Sequence, residues 1–248
     1  MATILPNTNS EWAVFFRILK NNIMQYTIAY EDEFLLVADK PQGVPVAPGK
    51  KRSLCEALFL DRPELSRVKG YKEKEGGLLN RLDNETGGLT LFAKSVEAFS
   101  YFKKLMDNEN IEKFYKAIVY GTPNKTSGII DYPIAHHYSD DKRMSILLDD
   151  RTKYRGKARL SKTEWEIVES AKNFSLLRIK ITKGIRHQIR VHLSGIGHPI
   201  LGDKLYCKKK DGYANHFLYS FGLRFKTMNG KEIKIEIATP FDKFVRNL

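Results

Sequence analysis

Two cysteines, Cys55 and Cys207, are all that this chain of 248 residues contains. Two isolated thiols exclude a disulfide framework and a cysteine-based zinc site, and they fit a protein of the reducing cytoplasm. Long apolar runs are also missing. The N-terminal run Trp12-Ala13-Val14-Phe15-Phe16 stops at Arg17, short of a signal-peptide core and of the roughly 20 residues that cross a bilayer, so no membrane partner is expected. Metal-ligand spacing is lacking too. His187 and His192 are five positions apart, which on a helix places them about 140° from each other, and neither has an accompanying Glu or Cys at ligand spacing. No metal and no cofactor are expected. Acidic residues are outnumbered, 29 Asp and Glu against 42 Lys and Arg, for a net charge of +13. Such an excess suits a polyanionic partner, because clustered Lys and Arg neutralise phosphates and release counterions. Taken alone, it fits a merely soluble basic surface equally well.

There is no internal repeat, and the elements follow one another with clear local signals. Ser10 can cap a short helix whose Trp12, Phe15, Phe16 and Leu19 share one apolar face. Pro41, Gly43, Pro45, Pro48 and Gly49 lead to the cationic run Lys50-Lys51-Arg52, an irregular surface loop, after which Ser53 caps a second helix. A strand is expected at Leu89 to Ala93, then a helix capped by Ser95 with Ala98, Phe102 and Leu105 on its apolar face. Further strands fall around Phe114 to Tyr120, Thr163 to Val168, Phe174 to Ile181, Phe217 to Phe225 and Glu232 to Ala238. A helix is expected over 187–194. Tyr138 to Arg159 is charged and poor in large apolar residues apart from Met144 to Leu148, and reads as a mobile loop facing a polyanionic partner or a solvated insertion. Strands outnumber helices, and turns such as Asn229-Gly230 join them. The expected class is therefore α+β, a largely antiparallel mixed β-sheet with flanking helices and loops.

The most informative window is Asn80-Arg81-Leu82-Asp83-Asn84-Glu85-Thr86-Gly87-Gly88, which sets an aspartate in a glycine-rich loop leading into the apolar strand. It resembles the catalytic motif of the RluA-type RNA pseudouridine synthases, where Arg-Leu-Asp followed by Thr and Gly carries the essential aspartate. Three more segments resemble the family in the required order. Ile28 to Val44, with Lys40-Pro41-Gln42-Gly43, is similar to its opening motif, and Lys113 to Gly121 to its tyrosine strand. Lys183 to Ser194, followed by Gly197-His198-Pro199-Ile200-Leu201-Gly202-Asp203, is similar to its last catalytic motif and the signature behind it. Asn80 stands where the family usually has His, Gly87 where it usually has Ser, and Lys183-Gly184-Ile185-Arg186 where Thr-Gly-Arg-Thr is common.

The resemblance implies a pseudouridine synthase-like catalytic domain at 28–248 behind an N-terminal helical extension at 1–27, too short for the extra RNA-binding module that many members carry. It implies an isomerase acting as a monomer on ribosomal or transfer RNA. Asp83 is then the catalytic carboxylate and Arg190 the cation that pairs with it. Tyr115 is the ring against the target base, with a possible part in proton transfer at carbon 5, and Ile189 lines the pocket. Arg81 would hold displaced RNA or a phosphate, or else form a structural salt bridge, and Lys50, Lys51 and Arg52 would add backbone contacts.

The chemistry asks for no more. The bond between ribose and uracil nitrogen 1 must break and a bond to carbon 5 must form, and one ionised carboxylate beside the sugar can either attack the anomeric carbon or remove the 2′ proton. The sequence leaves both routes open. It also leaves a non-catalytic RNA-binding protein on the same scaffold, which Asn80 and Gly87 favour. A nucleosidase or nuclease would need a second acid–base carboxylate or a metal cluster, and the sequence offers no convincing one.

Overall fold

The computed structural model describes residues 25–49, 51–209 and 211–242; the helix expected at Trp12 to Leu19 and the side chain of Lys50 lie outside them. In chain order the strands are β1 Thr27–Glu31, β2 Leu35–Lys40, β3 Gly87–Ala93, β4 Glu112–Tyr120, β5 Ser127–Ile130, β6 Ile134–His137, β7 Met144–Ile146, β8 Tyr154–Arg159, β9 Thr163–Ala171, β10 Phe174–Ile181, β11 Leu218–Lys226 and β12 Glu232–Glu236. The α-helices are α1 Leu54–Asp61, α2 Pro63–Ser66, α3 Val96–Asp107 and α4 Gln188–Gly195. The described residues divide into two compact units, 25–108 with 223–237, and 109–222 with 238–242.

In the first unit the strand order is β1-β2-β3-β11, with β12 on β11. The β1–β2 turn is closed by Asp32, whose carboxylate accepts from the Phe34 and Leu35 amides at 2.8 and 2.7 Å, the local bonding that makes Asp a turn residue. β2 and β3 pair antiparallel from Leu35 opposite Ala93 to Lys40 opposite Gly88. Every residue of β3 is buried, as its continuous apolar run demands of a strand covered on both faces. The excursion between these strands carries α1, which starts with a reciprocal cap. Ser53 Oγ accepts from the Glu56 amide while the Glu56 carboxylate accepts from the Ser53 amide, the arrangement that satisfies two otherwise orphaned donors. Ser95 caps α3 as expected. That helix buries Ala98, Phe99 and Phe102, with the Phe102 ring edge-on to Phe225 at 5.7 Å, whereas Leu105 is only half-buried.

In the second unit the order is β11-β4-β10-β9-β5, beside a separate sheet β7-β6-β8. β4 and β10 pair antiparallel without a break from Lys113 opposite Ile181 to Tyr120 opposite Phe174. The pairings β9–β10, β5–β9, β6–β7 and β6–β8 are antiparallel as well, so the α+β class with a mostly antiparallel sheet is as expected. Residues 138–159 depart from expectation. They hold β7 and β8 rather than a continuous loop, and β8 is exposed along nearly its whole length. An edge strand covered on neither face has no apolar alternation by which to announce itself. Behind the small sheet, Ile134, Met144, Ile185, Val191 and Tyr206 form a buried cluster.

Candidate active site

Asp83, Arg81, Lys51 and Arg52 belong to the first unit, and Tyr115, Ile189 and Arg190 to the second. Asp83 opens a turn in which its carbonyl accepts from the Thr86 amide at 3.0 Å, and its side chain is partly exposed. The backbone just after it is clamped by the Lys-Pro-Gln-Gly segment. Lys40 Nζ donates to the Asn84 carbonyl at 3.0 Å, the Gly43 amide donates to the same oxygen at 2.8 Å, and Gln42 Nε2 donates to the Glu85 carbonyl at 3.0 Å. Gly43 has φ +82, a left-handed conformation that glycine adopts without a Cβ penalty. The two motifs singled out in the sequence thus meet in space, and the first serves as a splint for the second.

One departure from the family pattern, Asn80, finds a local role. Asn80 Oδ1 accepts from the Leu91 amide at 2.8 Å, and its Nδ2 reaches the Leu89 carbonyl at 3.5 Å, so its side chain extends the bonding of β3. Arg81 forms an ion pair with Glu75, a carboxylate only 4% exposed, while half of the arginine side chain remains in solvent. Oε2 of Glu75 is buried without a hydrogen-bond partner among the described residues. Lys51 and Arg52 are exposed just ahead of α1.

In the second unit Tyr115 is buried on β4, opposite Ile179 of β10. Lys113, two residues earlier and so on the same face of the strand, is also buried; burial pulls its pKa down to about 8 against the charge of Glu109. Ile189 and Arg190 are adjacent and buried on α4. Arg190 holds Asp203 in a forked pair, Nε to Oδ2 at 2.7 Å and Nη2 to Oδ1 at 2.9 Å. The same carboxylate accepts from the Leu205 and Tyr206 amides. Burial raises the Asp203 pKa, but the hydrogen bonds and charge of Arg190 outweigh it, and the net shift is downward. Tyr206 lies under two guanidinium groups, with Arg143 and Arg190 at 5.6 and 5.3 Å from its ring centre.

The histidines have structural partners. His187 adopts the left-handed φ of 57 at the start of α4, and its Nδ1 meets the Tyr206 hydroxyl at 2.8 Å. His192 is fully buried, with Nδ1 at 2.9 Å from Thr163 Oγ1 and Nε2 at 3.0 Å from the Tyr132 carbonyl; burial lowers its pKa, in keeping with a neutral ring. Among the described residues no group of three or more His, Cys, Asp and Glu could hold a metal ion, and no helix is long and apolar enough to cross a membrane. Lys40, Lys113, Asp203 and Tyr206 were not singled out as site residues from sequence. Lys40, Lys113 and Asp203 sit inside the quoted motifs, which was the available signal; Tyr206 had none.

Comparison with known proteins covers the same ground. Residues 34–195 match the family model described as RNA pseudouridylate synthase. An uncharacterized RNA pseudouridine synthase of Aquifex aeolicus is 36% identical over 200 residues, 79% of this chain and 60% of that protein. The ribosomal large subunit pseudouridine synthase D of Nitrosomonas europaea is 33% identical over 72% of this chain and 49% of its own length. The chain therefore spans about half to three fifths of the length of these curated relatives. Among solved structures, human RNA pseudouridylate synthase domain containing 1 superposes with a TM-score of 0.74 over 92% of this chain and 89% of that one at 21% identity, a likeness of fold. Domain containing 4 does so at 0.67 over 88% of this chain and 90% of that one, with 26% identity. The family model's span takes in the Asp83 loop, the Tyr115 strand and the whole of α4, and on that match the chain belongs to the RNA pseudouridylate synthase family.

Proposed function

We propose that this chain converts uridine to pseudouridine in RNA, with Asp83 as the catalytic carboxylate. The observation that best supports this reading is the clamp on the Asp83 loop. Three hydrogen bonds from Lys40, Gln42 and Gly43 fix the two residues that follow the aspartate, the kind of preorganisation that a reacting group requires. A loop that merely turned the chain would not need it.

The target uridine leaves its stack and enters the pocket, at a cost of a few kcal/mol in unstacking. Asp83 acts on the ribose, by attack at the anomeric carbon or removal of the 2′ proton, and the bond to nitrogen 1 breaks. The base turns, carbon 5 bonds to the anomeric carbon, the proton leaves carbon 5, and nitrogen 1 gains one. The isomerisation balances without oxidant, metal or cofactor. Tyr115 packs against the base and assists at carbon 5, Ile189 lines the pocket, and Arg190 is assigned as the cation of the site. Arg81, Lys50, Lys51 and Arg52 contact the displaced RNA and its phosphates. Several relatives are named for the large ribosomal subunit, and ribosomal RNA is the proposed substrate, met in the cytoplasm by a monomer. The catalytic domain is assigned to residues 28–248, after an N-terminal extension at 1–27.

Base-resolved pseudouridine mapping of total cellular RNA, with the gene intact, deleted, or replaced by Asp83→Asn, tests activity and substrate together. Loss of the same positions in the deletion and in the variant, with RNA affinity retained by the purified variant, is the expected result. An unchanged map in both strains would favour a non-catalytic RNA-binding role. Sites that persist only with Asp83→Asn would move the chemistry to another residue.

A further inference from the structure

Glu75 ends a single 3-10 turn, Glu73–Glu75, and its carboxylate is nearly dry, the side chain 6% exposed against 48% for its partner Arg81. The backbone that carries it is fixed by close packing. A Cβ on Gly76 would come within 2.3 Å of the Leu65 carbonyl oxygen and 2.8 Å of the Phe59 ring, and one on Gly77 within 2.0 Å of the Ala93 carbonyl oxygen. Oε1 of Glu75 accepts from Arg81 Nη2 and has Lys72 Nζ at 3.9 Å, whereas Oε2 is buried with no hydrogen-bond partner among the described residues. The pair is thus single-pronged. A guanidinium and a carboxylate joined for stability alone gain most by forking, as Arg190 and Asp203 do. Arg81 instead engages Glu75 through Nη2 and keeps half of its side chain in solvent.

An arginine that left Glu75 would strand an uncompensated charge in a dry site, which is strongly destabilising, whereas an ion pair gained in solvent contributes little. Arg81 therefore stays on its anchor when a polyanion arrives. We propose that Glu75 is a positioning residue for RNA, holding Arg81 as a fixed receptor whose remaining N–H groups take one phosphate of the strand. The proposal rests on the reading of this chain as an enzyme that acts on RNA. A guanidinium held before the encounter has already lost the rotamer freedom that binding would otherwise remove. Two properties of Glu75 then act in opposite directions, its oxygen fixing Arg81 and its charge repelling the phosphate. Replacement by Gln or by Leu removes the charge in both cases, and only Gln keeps an acceptor oxygen.

Two measurements test this. In the first, affinity for a short RNA hairpin with a uridine in its loop is measured over a series of salt concentrations. The proteins are the parent chain, Glu75→Gln and Glu75→Leu, each with and without Arg81→Met. Glu75→Gln should bind about two- to tenfold more tightly than Glu75→Leu, the ordering cost of one long side chain. Arg81→Met should flatten the dependence on log salt by about 0.7 to 0.9, the value for one phosphate contact, and should abolish the difference between Gln and Leu. Equal affinities of the two neutral variants, a difference that survives Arg81→Met, or an unchanged slope each overturn the proposal. A merely structural ion pair would change the amount of folded protein and leave the affinity of the folded fraction alone.

The second measurement leaves Glu75 intact and stands even where its variants fail to fold. Side-chain nitrogen NMR spectra of the parent, with the Arg81 guanidinium assigned by its absence from Arg81→Met, report rotation about the Cζ–Nη bonds. The Nη2 protons should be held in slow rotation in the protein alone and remain so when the hairpin is added. Signals that average on addition of RNA, or that already average without it, refute the anchor. If Asp83→Asn turns over normally, the catalytic reading fails, and the affinities and spectra still decide whether Glu75 holds Arg81 for RNA.

Discussion

The forked pair between Arg190 and Asp203 offers a quantitative test of how this site is held. Their side chains are 6% and 0% exposed, and Arg190→Met leaves a carboxylate in a dry site without its main cation, held by the Leu205 and Tyr206 amides and the charge of His216. Removing one partner of such a pair costs about 3 to 5 kcal/mol, which in a chain of this size lowers Tm by roughly 6 to 20 °C. The pH dependence has a defined sign. Arg190 holds the Asp203 pKa below its ordinary value, so the pair's contribution is present above about pH 4, the unfolded carboxylate range, and fades as the pH falls through the lower folded value. The deficit of Arg190→Met should therefore be full at pH 7 and narrow in acid, where Asp203 can take up a proton. Urea denaturation at pH 7 and near pH 3 measures both. Adding Asp203→Asn removes the stranded charge but keeps an oxygen for the Leu205 amide, so the double variant should be more stable than the sum of the single losses by about 2 kcal/mol. Additivity within about 0.5 kcal/mol would refute the pairing as the source of the effect.

Other outcomes follow from residues already placed. Tyr115→Phe should bind RNA and position the base, because stacking contributes about 1 to 3 kcal/mol and needs only the ring, while a carbon-5 deuterium isotope effect larger than the parent's appears. A parent-like rate with no added isotope effect would limit Tyr115 to the pocket wall, and Tyr115→Ala should lose turnover outright. Reversing Lys51 and Arg52 to Glu should weaken RNA binding and flatten its dependence on log salt by roughly 1.4 to 1.8, the value for two lost phosphate contacts; a slope equal to the parent's would remove them from the RNA footprint. Ser53→Ala should cost about 1 kcal/mol through loss of the cap on α1, a Tm decrease of about 2 to 4 °C in a thermal melt, with the rate of the folded enzyme unchanged.

What the sequence disclosed depended on the range of the interaction involved. The caps at Ser53 and Ser95 are made within three residues, and both helices began where those serines said they would. β10 was legible to the residue because its alternating apolar run is buried on the sheet. β7 and β8 were not, because β7 is only three residues long and β8, exposed along nearly its whole length, carries the charged composition of a loop. The hold of Lys40 on Asn84 spans 44 positions, and that of Arg190 on Asp203 spans 13. The motifs marked these residues without disclosing their partners, since no local pattern says which carbonyl or carboxylate a distant side chain will reach.

The clamp beside Asp83 has a consequence for how such an enzyme can change. Its acceptors are the backbone oxygens of Asn84 and Glu85, and any amino acid presents those oxygens. The identities at 84 and 85 are therefore uncoupled from the placement of the aspartate between them and Leu82. Asn84 is exposed, so mutation there can try out new contacts with a ligand while the aspartate stays in register. With the role proposed for Asp83, selectivity and chemistry would occupy neighbouring residues of one loop and could evolve separately.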